Sequence, residues 1–294
     1  MSIRLSGKFR KKIYKFLRYS GLPFFFKNIL QKKKVTILLY HDPDPKVVGR
    51  QFQYLLKEYN VISLDDFLKA KSSNDLSSLP NKSLIITFDD GHKRNFHILP
   101  ILKKLKIPVT IFLCSSIIGT NRHFWFKLNP DINEKLKDMK NSQRLNFLSE
   151  QGFQQQQEYG ERHSLSISEI SQMSKFVDFQ SHTCFHPCLT QCSDELAEKE
   201  IFESRKSLEK LLDKPIYSIS YPNGDYKNRE IQLSKKSNYK CGITVDFGFN
   251  DLKTDIFRLK RLSVNDTSDM DEFIVKSSGL GAYISKFFGK KEYS

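Results

Sequence analysis

The chain has 294 residues, of which 39% are hydrophobic and 24 are Phe, a composition that excludes a disordered chain and allows one large α/β domain or two smaller ones. Residues 1–34, the N-terminal arm, hold eleven Lys or Arg and no acid, which leaves only +4 of the net charge of +15 for the remaining chain. Because the basic side chains are confined to an arm and not spread over a folded face, the distribution argues against a nucleic-acid partner.

The N-terminal arm has the pattern of a basic amphipathic helix. Apolar side chains recur at helical spacing among the lysines: Phe9, Ile13, Phe16 and Leu17. The aromatic sequence GLPFFF follows at residues 21–26. A basic helix beside aromatic side chains is typical of a membrane-surface anchor, so we expect residues 1–34 to bind an anionic membrane surface. The alternative is a helix that packs on the body and leaves a solvated basic face.

Other features of the sequence indicate the compartment. No apolar run is long enough to span a bilayer or to serve as a signal peptide. The five cysteines do not suggest a disulfide scaffold, and three of them lie close together: Cys184, Cys188 and Cys192. Their spacing fits no zinc finger, so we treat them as packing residues. We expect a cytoplasmic protein, peripheral on the inner face of the membrane.

From residue 35 onward, predicted strands alternate with predicted helices. The strands are predicted at 35–40, 60–64, 83–88, 108–114, 176–181, 216–220 and 241–245. The helices are predicted at 47–59, 94–106 with a break or bend at Pro100, 194–212 and 227–236. This alternation predicts βαβ units and a mainly parallel sheet or barrel, which is an α/β fold.

One interval breaks the alternation. Residues 119–172 contain the only tryptophan, Trp125, and a long polar run. We interpret this interval as an insertion, a lid or a substrate-facing flap, and expect Trp125 to contact the substrate. The chain then divides into the N-terminal arm, a catalytic body at 35–270, and an amphipathic C-terminal tail at 271–294.

Chemically distinctive residues follow the predicted strands directly. They are His41, the pair Asp89–Asp90, His182 and Pro222. In parallel α/β folds the carboxyl ends of the strands meet at one edge and carry the chemistry. Two adjacent carboxylates at the end of a buried strand repel each other and resist burial, so Asp89 and Asp90 form either a turn or part of a cation site.

A metal site resolves this choice. His182 and His186 stand at positions i and i+4, and two imidazoles with one carboxylate make a three-ligand site that leaves positions open. Asp90 would bind the cation, whose charge keeps Asp89 ionised as a base. The alternatives are a plain turn and two histidines of the core or helix surface. His92 is given a turn role.

Three motifs in order carry a family resemblance: TFDDG, SHTCFHP and YPNGDY. Over about residues 35–265 the chain resembles the polysaccharide deacetylases of carbohydrate esterase family four, with a motif layout similar to that of the poly-N-acetylglucosamine deacetylases. The resemblance implies a distorted (β/α) barrel and an N-deacetylase that hydrolyses the linear amide of an N-acetyl sugar. It also implies a divalent metal ion, zinc first, with cobalt, nickel or iron as further candidates.

The resemblance assigns roles to the matched residues. Asp89 corresponds to the catalytic base, and the metal ligands are Asp90, His182 and His186. Thr183 resembles the hydroxyl residue that braces the histidine loop. The YPNGDY loop contributes a backbone N–H to the oxyanion hole at Asn223. The same loop brings Tyr221 and Pro222 to the substrate.

The chain departs from the family pattern at two places. An arginine that orients the catalytic aspartate usually precedes the proline of the third motif, but Ser220 and Tyr221 stand here, so Asp89 needs another partner. The usual late histidine, the general acid, is also missing, because no histidine follows His186. His41 resembles the early histidine that supplies the acid in the poly-N-acetylglucosamine deacetylases. The alternative is a histidine that caps a strand end.

The substrate is inferred from the N-terminal arm and not from the motifs. A deacetylase that rests on the inner face of the membrane suggests an N-acylated sugar of a glycan or lipid-linked glycan intermediate in cell-surface polysaccharide biosynthesis. A deformylase of a lipid-linked amino sugar is a close variant. Two other classes stay open: a catalytically degenerate sugar-binding protein, and an anionic-surface or nucleic-acid binder driven by the arm.

Overall fold

Eight parallel strands form the centre of the fold in residues 7–128 and 130–287, the part of the chain that this computed structural model describes. The strands are β1 Thr36–Tyr40, β2 Asn60–Val61, β3 Ser83–Phe88, β4 Val109–Leu113, β5 Val177–Ser181, β6 Ser218–Ser220, β7 Cys241–Phe247 and β8 Leu259–Ser263. Their order is β1-β8-β7-β6-β5-β4-β3-β2, and β1 also pairs with β3. Seven strands therefore close into a barrel, with β2 added outside β3, and the predicted α/β barrel is confirmed.

Helices surround the barrel. They are α1 Gly7–Tyr19, α2 Leu22–Phe25, α3 Pro45–Glu58, α4 Leu64–Ser72, α5 Leu99–Leu105, α6 Asn133–Lys137, α7 Asn141–Glu150, α8 Ile167–Met173, α9 Asp194–Leu212, α10 Asn228–Lys236, α11 Met270–Ser277 and α12 Leu280–Phe287. A π-helical turn at Phe26–Leu30 continues α2. The helix predicted at 194–212 has those same bounds, because Ser193 caps its start by accepting a hydrogen bond from the Leu196 N–H.

The largest differences from the predicted bounds are at two elements, and the others agree within two residues. The segment 94–106 divides into a 3₁₀ helix, Lys93–Ile98, and α5, because Pro100 has no N–H and fits only the first turn of a new helix. The strand predicted at 60–64 stops at Val61, since Ser63 forms a capping box with Asp66 and starts α4. Neither difference moves a residue of the candidate site.

The strand β8 was not predicted. Its sequence, LKRLS, has two adjacent basic residues between its leucines, and this obscures its buried character. In the barrel, β8 lies between β7 and β1 and completes the closure. Leu259 packs in the barrel interior, so the residue two positions later, Arg261, faces the same interior.

The register brings two predicted site residues side by side. β1 pairs with β3 in parallel from Thr36↔Leu84 to Tyr40↔Phe88. His41 and Asp89 are the next residues on each strand, and the Asp89 N–H donates to the Tyr40 carbonyl over 2.9 Å. Ile85 packs in the barrel interior, and Asp89 stands four residues later on the same face. The Asp89 carboxylate is therefore directed into the end of the barrel.

The N-terminal arm forms the predicted helix, α1, and α1 packs on α11. The domain division at 35 and 270 stays a prediction. The boundary at 270 falls at the start of α11, whose Phe273 and Val275 are buried. The predicted amphipathic stretch of the tail runs through α12 and continues past 287, outside the described residues. Among the helices of 7–128 and 130–287, none has the length and apolar character needed to cross a bilayer.

Candidate active site

A tight turn after β3 separates the two adjacent carboxylates. Asp90 has a φ of 73° and Gly91 a φ of 75°, both left-handed. At Gly91 an added Cβ would lie 2.6 Å from Leu113 Cδ2, so this turn requires glycine. Asp89 and Asp90 are both buried, and the turn lets each meet different partners.

Asp90 meets the two predicted metal-binding histidines. Its Oδ1 lies 3.4 Å from Nε2 of His182 and 3.4 Å from Nε2 of His186. The candidate ligand atoms of these three residues lie within 4.8 Å of one another. Asp90 Oδ1 is buried without a hydrogen-bond partner in the described chain, as expected of an oxygen that serves a cation.

The surroundings of the two histidines shift their pKa values in opposite directions. The His182 Nδ1–H donates to the Ser220 carbonyl over 2.7 Å, which directs Nε2 to Asp90. Burial lowers the pKa of His182, but Asp89 and Asp90 outweigh it and raise that pKa, so a cation would displace a proton from Nε2. Burial lowers the pKa of His186 to about 3, so its ring is neutral. Burial would raise the pKa of Asp90, but His182 and His92 outweigh it and hold that pKa well below the usual range. The residues present therefore fit a divalent cation with one oxygen and two nitrogen ligands.

His92 supports the carboxylate of Asp90. The two residues approach within 3.0 Å, from His92 Nε2 to Asp90 Oδ2, and both are buried. The His92 ring packs edge-on against Phe124, with 4.9 Å between centroids. The turn role predicted for His92 was too narrow, because its ring fixes the orientation of a candidate metal ligand.

The histidine loop is held in a strained conformation. Thr183 and His186 have left-handed φ values of 66° and 57°. The His186 N–H donates to Thr183 Oγ1 over 3.2 Å. The buried Glu200 of α9 accepts from the Cys184 N–H at 2.8 Å and the Phe185 N–H at 2.9 Å. Thr183 thus stands where it can brace the loop, and Glu200 is a support that the sequence did not reveal.

Trp125 connects the insertion to this loop. Its Nε1–H donates to the His186 carbonyl over 2.8 Å, and the Arg144 guanidinium lies over its ring at 4.5 Å from the centroid. Trp125 is only 3% exposed. The indole therefore supports the metal loop and has little free surface for the substrate contact predicted from the sequence.

Asp89 has the partner that the third motif does not supply. Arg261 Nη1 donates to Asp89 Oδ1 over 2.8 Å, and Nη2 donates to Oδ2 over 2.7 Å. Ser220 Oγ bridges the pair, accepting from Arg261 at 3.0 Å and donating to Asp89 at 3.1 Å. Burial raises the pKa of Asp89, but the charges of Arg261 and His182 outweigh it and lower that pKa below its usual value. Asp89 is therefore an ionised carboxylate.

His41 lies at the same end of the barrel. Its N–H donates to Asp266 Oδ1 over 3.0 Å, and its carbonyl accepts from Asn95 Nδ2 over 2.9 Å. The ring is half-buried and close enough to Asp89 to lower the pKa of that carboxyl further. The structure thus brings His41 and Asp89 together, as the position after β1 predicts.

The YPNGDY loop forms a 3₁₀ turn at Pro222–Gly224. Asn223 has a left-handed φ of 57°, and its Nδ2 donates to Cys188 Sγ over 3.4 Å. Tyr221 is fully buried and stacks on Tyr226 at 5.4 Å between centroids. Pro222 is buried as well. The side chain of Tyr221 belongs to the core, so any contact of this residue with a substrate would have to use its backbone.

A sequence model described as "Polysaccharide deacetylase" matches residues 77–242, more than half of the chain. The range contains the three motifs of the predicted resemblance, but neither His41 nor Arg261. A relative named poly-beta-1,6-N-acetyl-D-glucosamine N-deacetylase, from Staphylococcus epidermidis, is 27% identical over 229 residues, which are 77% of this chain and 68% of that protein.

Solved structures share the fold. The Streptococcus pyogenes deacetylase PplD, in complex with acetate, superposes with a TM-score of 0.62 at 22% identity over 83% of this chain and 98% of its own. IcaB from Ammonifex degensii gives a TM-score of 0.61 at 16% identity over 85% of this chain and 98% of its own. At these identities the likeness concerns the fold, and it agrees with the predicted barrel.

Proposed function

Because the chain belongs to the polysaccharide deacetylase family, we propose that it hydrolyses the N-acetyl group of an amino sugar in a glycan or lipid-linked glycan of cell-surface polysaccharide biosynthesis. The family confirms the predicted deacetylase class, and the substrate is our proposal. One observation carries it: Asp89, held ionised by Arg261, stands beside the three candidate metal ligands. The name of the Staphylococcus epidermidis relative supports a polymer of N-acetylglucosamine as the substrate class.

Three residues would hold a divalent cation: Asp90, His182 and His186. A cation bound there supplies a Lewis acid that lowers the pKa of a water molecule and polarises the acyl group. Zinc is the first candidate, since two imidazoles and one carboxylate form a catalytic zinc set, and cobalt, nickel and iron accept the same ligands.

The remaining steps fall to residues of the chain. Asp89 takes a proton from the attacking water, whose oxygen bonds to the acyl carbon. A backbone N–H at Asn223 donates to the oxyanion that forms. His41 donates a proton to the sugar nitrogen as the carbon–nitrogen bond breaks, and acetate and the free amine leave. Arg261 keeps Asp89 ionised before the reaction, and its two hydrogen bonds orient both carboxylate oxygens of Asp89.

The neighbourhood of Asp89 favours an active enzyme over a degenerate sugar-binding protein. A buried pair of an aspartate and an arginine is costly to desolvate. A site without catalytic activity would gain nothing from keeping such a pair. His41, close enough to lower the Asp89 pKa, offers the acid that the late motif lacks. A formyl group would use the same residues, so deformylation is tested with the same protein.

We also propose that the protein works at the inner face of a membrane. The five cysteines are all buried and free, which supports a reducing compartment. A substrate carried by a lipid would then reach the barrel from the bilayer surface.

Acyl release from the purified protein tests the reaction. The protein is stripped of metal and reloaded with zinc, cobalt, nickel or iron, then given N-acetylglucosamine oligomers, lipid-linked N-acetyl and N-formyl sugars, and a generic ester. We expect release of acetate from a sugar only after metal is restored, and none from Asp89→Asn. A matched control is Asp178→Asn, a half-buried aspartate of β5 that accepts a hydrogen bond from the Tyr217 hydroxyl. Turnover that survives Asp89→Asn, or turnover without metal, would contradict the proposal.

A further inference from the structure

Two arginines of the helix α1 form ion pairs with the body. Arg10 Nη2 forms an ion pair with Glu272 Oε1 at 2.5 Å, and Arg18 forms an ion pair with Asp271. Both acids belong to α11. Arg10 and Arg18 are eight residues apart and lie on the same side of α1. That side therefore holds the helix in place.

Part of the apolar side of α1 faces solvent. Phe9 is 52% exposed and Phe16 is 74% exposed, and Ile13 and Leu17 beside them are only partly covered. An amphipathic helix that merely completes a hydrophobic core turns its apolar stripe inward. Here the helix packs on the body with a solvated basic face, as the simple alternative requires, but the Phe9 and Phe16 rings stay exposed beside the lysines, which that alternative does not explain.

The segment after α1 extends this exposed surface. Leu22 and Phe24 of α2 are 43% and 68% exposed, Phe25 is 47% exposed, and Ile29 of the π turn is 61% exposed. α2 contacts both α1 and the π turn, so these side chains lie on neighbouring elements. We call the exposed set the aromatic face: Phe9, Phe16, Leu22, Phe24, Phe25 and Ile29. An exposed apolar patch of this kind marks an interaction site.

Lysines flank the aromatic face. Four of them on α1 are exposed and have no ion pair in the described chain: Lys8, Lys11, Lys12 and Lys15. Lys12 stands three residues after Phe9 and four before Phe16, so it lies on the helix surface between the two rings. Lys32, Lys33 and Lys34 follow the π turn and are exposed as well. Aromatic rings and unpaired lysines thus share one surface.

We propose that the aromatic face inserts into the headgroup region of an anionic phospholipid bilayer, with the flanking lysines on the lipid phosphates. A second copy of the chain is a poor occupant, since two such lysine-rich surfaces would repel each other. A nucleic acid would use the lysines but would leave the apolar side chains of Leu22 and Ile29 in water. Apolar insertion and phosphate attraction together are what an interfacial membrane helix requires. The inference concerns binding alone and does not rest on the proposed reaction.

Co-sedimentation of the full chain with vesicles tests the proposal. The vesicles contain phosphatidylcholine with or without phosphatidylglycerol, at low and high salt. We expect strong binding only with phosphatidylglycerol, weakened but not abolished by salt. Phe16→Glu with Phe24→Glu should reduce the partition coefficient at least about tenfold, because both rings leave the bilayer. Lys11→Glu, Lys12→Glu and Lys15→Glu together should do the same, since each lysine contributes about fivefold.

The helix α9 offers matched controls. It carries an exposed aromatic ring, Phe202, and three exposed lysines: Lys199, Lys206 and Lys210. Phe202→Glu makes the same chemical change at one position, and a triple lysine-to-glutamate variant of α9 has the same net charge as the α1 triple variant. Both should alter binding less than about twofold. Circular dichroism checks that every variant is folded.

Three results would overturn the proposal. The first is no binding to phosphatidylglycerol vesicles at low salt. The second is an equal loss of binding in the α1 and α9 variants, which would reduce the effect to net charge. The third is self-association that Phe16→Glu abolishes, because a second copy would then cover the aromatic face. Acyl release from a water-soluble substrate should be unchanged in the Phe16→Glu, Phe24→Glu variant, so failure of this inference is distinct from failure of the proposed reaction.

Discussion

Asp89 accepts two parallel hydrogen bonds from Arg261, although 172 residues separate the two in the chain. Asp89 follows β3 and Arg261 lies on β8, and both strands pair with β1. Ser220, one of the two residues that stand where the third motif usually provides an arginine, bridges the pair. The carboxylate is therefore oriented from a different strand than the family pattern leads one to expect, with the same chemical result.

Replacement of Arg261 by Lys should expose its effect on the proposed base. A lysine makes one point contact and cannot hold both oxygens of Asp89, so we expect kcat to fall about a hundredfold. Arg261 lowers the pKa of Asp89 through its charge and its hydrogen bonds; lysine keeps the charge but loses the paired hydrogen bonds, so that pKa should rise. The acidic limb of the pH profile of kcat/KM should move to higher pH, because the base is then protonated over a wider range. The exposed Arg258→Lys is the control, and an unmoved acidic limb in Arg261→Lys would contradict the assignment.

The Asp89→Asn variant should distinguish the role of the proposed base from the role of the metal ligands. Asp89→Asn keeps Asp90, His182 and His186, so the variant should bind one equivalent of metal as the parent does and lose nearly all turnover. Asp90→Asn should lose both, since a neutral amide is a weak ligand. Metal content by elemental analysis and acetate release are measured on the same samples. Metal loss in Asp89→Asn would make Asp89 a ligand and remove it as the base.

The leaving group distinguishes a role of His41 in acid catalysis from one in structure. An amine must be protonated to leave, whereas an aryl alcohol leaves unaided. We expect His41→Ala to lower amide hydrolysis by about 10²–10⁴-fold and to spare hydrolysis of an aryl acetate. His97→Ala, an exposed histidine of the nearby 3₁₀ helix, should change neither rate. Equal losses on both substrates would show that His41 supports the fold or the base and does not donate the proton.

The elements that depend only on neighbouring residues in the chain could be predicted from the sequence. Buried strands such as β1 and β3 are mainly apolar runs. The residue types of the DD and HTCFH motifs indicate a metal site without knowledge of the fold. The Asp89–Arg261 pair was not accessible, because it depends on closure of the barrel by β8, a strand whose basic residues hide it. The contact of Trp125 with His186 likewise depends on how the insertion folds back. The helix α1 could be predicted, but not that its charged side would hold it to α11.

The contact of Trp125 predicts a change in metal affinity. Trp125→Phe keeps an aromatic ring under Arg144 but removes the Nε1–H, which leaves the buried His186 carbonyl without its donor at a cost of about 1 kcal/mol. We expect weaker metal binding by about fivefold, with kcat restored when metal is saturating. Phe153→Leu, in the same apolar cluster, is the control for packing. Metal titration followed by acetate release measures both quantities, and unchanged affinity would reduce Trp125 to a packing residue.

The burial of Glu200 leads to a prediction about the stability of the protein and its dependence on pH. Burial raises the pKa of Glu200, although two backbone donors of the histidine loop partly offset this. A carboxyl whose pKa is higher in the folded state gives stability at low pH that is lost as the pH rises through that pKa. Glu200→Gln keeps an oxygen for the Cys184 and Phe185 N–H groups and carries no charge. Its free energy of unfolding should therefore stay within about 1 kcal/mol of the parent at neutral pH and vary less with pH.

Glu200→Ala provides the contrast. It leaves two buried N–H donors without an acceptor, and should cost on the order of 3 kcal/mol. Because the loop carries His186, that variant should also bind metal more weakly, and added metal should recover less stability than it does in Glu200→Gln. Denaturant unfolding with and without metal, over a range of pH, measures these effects. If Gln destabilises as much as Ala, the ionised carboxylate itself supports the loop, and the proposed cost of its charge is wrong.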